Sequence, residues 1–130
     1  SEGPKFEVKS NNRFDDYINQ AQRNHNGSWE QRKNSANMIR QALEAYVKEY
    51  YCKKSGEELP NQFKDKSFSA LDEKLLSRVE IDSDERGKLR VINSKCDKPS
   101  HDDLKVDPPT NQELHSFIDM LKNFKTKHLN

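Results

Sequence analysis

Arg40 and Glu44 stand four residues apart in the run Asn37-Met38-Ile39-Arg40-Gln41-Ala42-Leu43-Glu44. On a helix that spacing puts both side chains on one flank, where a cation and a proton-accepting carboxylate can face a cleft together. His101 is the next candidate, set between Ser100 and the acids Asp102 and Asp103. A carboxylate beside an imidazole fixes its tautomer and raises its pKa, which makes it a usable acid or base near neutral pH. Each has a plainer alternative. Arg40 and Glu44 can form a surface ion pair, although Arg before Glu is the weaker order for helix stability, and His101 can simply cap a turn. His25, His115 and His128 are expected to be solvated.

The elements that must position these residues follow from apolar spacing. Phe14, Tyr17, Ile18 and Ala21 recur at helical intervals and stop before Gly27, which gives a first helix of about 12 residues. Ser28 suits the N-cap of a long helix over about residues 28–53, with Trp29, Ala36, Ile39, Leu43, Val47 and Tyr50 as its stripe. Lys53, Lys54, Gly56 and Pro60 close it. Phe68, Leu71, Leu75, Leu76 and Val79 mark a shorter helix, and Leu89, Val91, Ile92 and Cys96 another that begins at Ser83. Residues 97–109 read as a loop rich in proline and acid, of a length that is often functional. Thr110 and Glu113 then form a capping box before the stripe Leu114, Phe117, Ile118, Leu121 and Phe124. No strand-like alternation appears. The expected fold is all-α, a bundle of four to five antiparallel helices around one long central helix.

Composition bounds what such a bundle can do. With 130 residues the chain is the size of a single domain, taken here as residues 11–130 behind a tail at 1–10. The start at Ser1-Glu2-Gly3-Pro4 reads as a cut into a longer protein. The 23 Lys plus Arg balance 22 Asp plus Glu, so no global field draws in nucleic acid or membrane, and an anion must be held by a local patch such as Lys53-Lys54. Cys52 and Cys96 carry no metal-ligand spacing and are expected to be reduced thiols of a cytoplasmic protein. No zinc set, calcium loop, phosphate-cradling glycine loop or nucleophile elbow occurs, so neither a structural metal nor a bound cofactor is expected.

Two stretches together resemble a known family. "NMIRQALEAYVKEYYCKKSG" (37–56) resembles the long helix of HEPN-like domains, and "NSKCDKPSHDD...PPTNQELHSFIDMLKNF" (93–124) the loop and last helix that close them. The similarity is to the C-terminal region of phage-defence ATPases of the anticodon-nuclease type, the PrrC and RloC group, whose nuclease members carry an Arg, a Glu four positions later and a distal His. The resemblance implies that Arg40, Glu44 and His101 take those roles. An Arg followed four to six residues later by His on the last helix, the commoner HEPN signature, is absent, which leaves the split set. It further implies metal-independent cleavage of RNA, with tRNA as a candidate substrate, Lys53 and Lys54 touching phosphates, and an ATPase portion in cis or a partner protein as the restraint. In that chemistry the RNA 2′-hydroxyl attacks its own phosphate, aided by a base, an acid and positive charge. The alternative is a non-catalytic adaptor or homodimerisation module, docking through exposed sides of Trp29, Tyr46, Tyr50 and Tyr51.

Overall fold

The computed structural model describes residues 13–100 and 106–130; the tail at 1–10 and His101 lie outside the described residues. Among those described, the chain forms five α-helices, two short 3-10 turns and no strand. These are α1 (Phe14–Asn24), α2 (Trp29–Ser55), α3 (Phe68–Lys74), α4 (Ser83–Ser100) and α5 (Asn111–His128), with 3-10 turns at Asn61–Phe63 and Leu76–Arg78. The all-α bundle around one long helix is therefore the fold. No helix among the described residues is long and apolar enough to cross a membrane.

The central helix is fixed at both ends by local chemistry. Ser28 Oγ accepts the Gln31 N–H and the Gln31 side chain accepts the Ser28 N–H, a reciprocal capping box that satisfies two donors otherwise left unpaired at a helix start. At the other end Gly56 takes a left-handed conformation (φ 74°) and donates its N–H to the Cys52 carbonyl, a geometry that an L side chain resists. A second capping box, Thr110 with Glu113, starts α5.

Contacts along α2 give the direction of each neighbour. α1 runs antiparallel to it, with Phe14 against Tyr46 and the buried Ser35 hydroxyl donating to the Ala21 carbonyl at 2.9 Å. α4 is antiparallel too: Tyr50 donates to the Glu80 carbonyl just before α4 begins. α5 runs in the same direction as α2. Trp29 Nε1 donates to Asp107 and Arg32 to the Pro109 carbonyl at one end, while Lys53 donates to the Leu129 carbonyl at the other.

Besides α5, which packs parallel to α2 where the expected bundle is antiparallel, three expectations change. The third helix ends at Lys74 and tightens into the 3-10 turn. In a continuing α-helix the adjacent Leu75 and Leu76 would point about 100° apart; the tighter turn buries both completely. The loop expected from Asp97 begins later, since α4 continues through Ser100 with Cys96 fully buried in its last turns. The tyrosines proposed as a docking face are in the core instead. Tyr46, Tyr50 and Tyr51 are each 2% exposed, because a helix covered by α1, α3, α4 and α5 buries far more than the single stripe a surface helix would.

Candidate functional site

Arg40 and Glu44 meet. Arg40 Nη1 donates to Glu44 Oε2 at 2.9 Å, with the side chains 22% and 14% exposed. This is more enclosed than a solvated surface pair. The same guanidinium donates from Nη2 to Asn37 Oδ1 at 2.9 Å, so Asn37, Arg40 and Glu44 form a ladder along one face of α2 at successive helical turns. Arg40 Nε is buried and has no hydrogen-bond partner.

Glu44 has a further task. Its carboxylate faces the start of α3, where the backbone N–H of Phe68 favours its charged form and Ser67 makes no side-chain cap. A carboxylate from a neighbouring helix thus serves the start of α3, where unpaired donors and the helix dipole favour negative charge. Burial is nevertheless the largest influence on this group. It pushes the Glu44 pKa above the ordinary value of 4.5, against the charges of Arg40 and Lys48 and the two hydrogen bonds. A carboxyl so placed takes up a proton more readily than a surface glutamate, as a general base requires.

Glu44 also lines a groove of about 780 Å³, together with Tyr17, Lys48, Cys52, Leu59 and Lys64. Lys48 is tied down by donating to the Lys64 carbonyl. Glu49, Glu57 and Glu58 face the same groove, so its charge is mixed and an anionic ligand would be drawn to the Lys48 side. Arg40 sits behind Glu44, close enough to α4 for its charge to act on the Cys96 thiol. That thiol is pushed up to about 12, chiefly by burial, and is an inert core group. Cys52, half-buried at the groove, is also raised by burial; both cysteines are free.

Lys53 and Lys54 do not join this site. They lie near the end of α2, about 15 Å along the axis from Glu44. Lys53 donates to the Leu129 carbonyl and Lys54 sits 5.6 Å from the centre of the Tyr50 ring. No group of three or more His, Cys, Asp or Glu side chains able to hold a metal ion occurs among the described residues.

A second ionic cluster lies at that end of the bundle, and no sequence signal marked it. Glu85, 8% exposed, accepts from Lys127 Nζ at 2.7 Å and pairs with His128 Nε2 at 2.8 Å. His128 is only 15% exposed and meets the edge of the Tyr50 ring, which corrects its expected solvation. Its near-terminal position hid this, since Glu85 lies some 40 residues upstream in a different helix. His25 and His115 stack with ring centres 5.6 Å apart, His115 remaining largely exposed as expected.

Comparison of the chain with models of known families, with curated proteins and with solved structures finds no match.

Proposed function

We propose that this domain cleaves RNA without a metal ion, with Glu44 taking the proton of a 2′-hydroxyl, Arg40 stabilising the phosphorane and His101 protonating the leaving 5′-oxygen. The products are a 2′,3′-cyclic phosphate and a 5′-hydroxyl. One observation carries the reading: a guanidinium and a carboxyl of raised proton affinity are held 2.9 Å apart, half-buried, with the carboxyl at the wall of a groove. Base and charge stabiliser in one rigid pair are what the transition state requires. His101 enters through the sequence resemblance, which also makes tRNA the first substrate to test and an ATPase portion the expected restraint of a phage-defence or toxin system. The contacts of Lys53 and Lys54 with RNA would lie away from the reacting phosphate.

The test compares wild type with Arg40→Ala, Glu44→Ala and His101→Ala on labelled tRNA, with circular dichroism to confirm folding. Each substitution is expected to lower the cleavage rate by about 10²–10³-fold, and a chelator to leave wild-type cleavage unchanged. Equal cutting by all four proteins, or intact RNA with the wild type, would overturn the reading. The adaptor alternative has lost Tyr46, Tyr50 and Tyr51 as its docking face.

A further inference from the structure

A guanidinium and a carboxylate left to themselves favour a bidentate fork, in which two parallel N–H donors engage both carboxylate oxygens. Such a fork would engage both carboxylate oxygens and lower the proton affinity that a general base needs. Arg40 and Glu44 are not joined in this way. The hydrogen bond runs from Nη1 to Oε2, while Nη2 is turned to Asn37 Oδ1 at the same 2.9 Å.

We infer that Asn37 is a positioning residue: by holding one terminal nitrogen of Arg40 it keeps the contact with Glu44 to a single point. Each terminal nitrogen carries two N–H groups and spends one, so a second N–H remains on each for a phosphoryl oxygen. The carboxylate, spared the fork, keeps accepting capacity for a proton. The spacing makes this local and rigid, since Asn37 lies one turn before Arg40 on the same face of α2 and both side chains are partly shielded from water. The catalytic consequence rests on the RNA-cleavage reading; the single-point geometry does not.

The experiment uses the whole chain with Asn37→Ala and Asn37→Asp, the second keeping an acceptor oxygen at the same reach. The first readout is the titration of the Glu44 carboxyl by carbon-13 NMR. Freed from Asn37, Arg40 closes the fork on Glu44, so the midpoint in Asn37→Ala is expected to fall by about half a pH unit or more, and that in Asn37→Asp to stay near or above the wild-type value. The second readout is cleavage. Asn37→Ala is expected to lower kcat about tenfold, the worth of one hydrogen bond to a charged group, with KM changed less than twofold and with substantial rescue by Asn37→Asp. A Glu44 midpoint that stays put in Asn37→Ala, or falls equally in Asn37→Asp, overturns the inference whether or not RNA is cut. If the midpoint moves as expected while wild type, Asn37→Ala and Arg40→Ala all cut alike, the positioning of Arg40 stands and the RNA-cleavage reading falls.

Discussion

Glu44 and Glu85 are both shielded carboxylates paired with cations, yet their proton affinities move in opposite directions. Burial pushes both upward. At Glu44 it prevails over one guanidinium contact, the charge of Lys48 and one backbone N–H. At Glu85 the hydrogen bonds from Lys127 and His128 and the charges behind them overcome it, and the pKa falls below the ordinary value. Glu85 also sits in the first turn of α4, where the helix dipole favours an anion, whereas Glu44 is in mid-helix. Two donors and a helix start make a structural clamp; a single-point pair in a covered position leaves a carboxyl poised to exchange a proton.

Denaturant titrations test this contrast. The largest effect is expected from Arg40→Ala, which leaves Glu44 shielded without its nearest cation. A loss of about 2 kcal/mol at pH 7 lies between the values for exposed and fully buried pairs. Much of it should return in acid as Glu44 takes up a proton. Next is Glu85→Gln, with an expected loss of about 1–2 kcal/mol at pH 7. A folded pKa below the unfolded one stabilises the protein above 4.5, so the gap between wild type and Glu85→Gln closes as the pH falls through the lowered midpoint. Tyr50→Phe removes only the hydrogen bond to the Glu80 carbonyl and should lower stability by about 1 kcal/mol with little pH dependence.

The smallest effect at pH 7 belongs to Glu44→Gln, expected within about 0.5 kcal/mol of wild type, because the amide oxygen still accepts from Arg40 or Phe68. Its pH dependence carries the opposite sign to that of Glu85→Gln. A folded pKa above the unfolded one contributes stability that is complete below 4.5 and lost as the pH rises through the raised midpoint. Wild type should therefore gain on Glu44→Gln as the solution is acidified. Parallel pH profiles for the two glutamine variants would refute the contrast.

Local chemistry was legible in the sequence where it rests on near neighbours. The stripe from Trp29 to Tyr50, the Ser28 cap, the Thr110–Glu113 box and the meeting of Arg40 with Glu44 all depend on residues within one or two turns. Features that needed two distant segments were not legible. Glu85 with His128, and Glu44 at the start of α3, pair groups on different helices, and their spacing in the chain carries no period. The tyrosines of α2 were misread for a related reason: periodicity locates one buried face, but how many faces are covered depends on the neighbours that pack there. Asn37 was in plain view, one turn before Arg40, and only the direction of its amide oxygen reveals what it holds.

The common direction of α2 and α5 has a further electrostatic result. Two helices side by side and pointing the same way bring like poles together, positive at their starts and negative at their ends, an arrangement that antiparallel neighbours avoid. The chain supplies countercharge at both poles. Glu30, Asp107 and Glu113 gather where the two helices begin, and Lys53, Lys54, Lys125, Lys127 and His128 where they finish. The antiparallel α4 brings Asp84 and Glu85 to that second pole, its own positive end. The helix poles are thus met by local charge at both ends, and added salt should weaken those countercharges together.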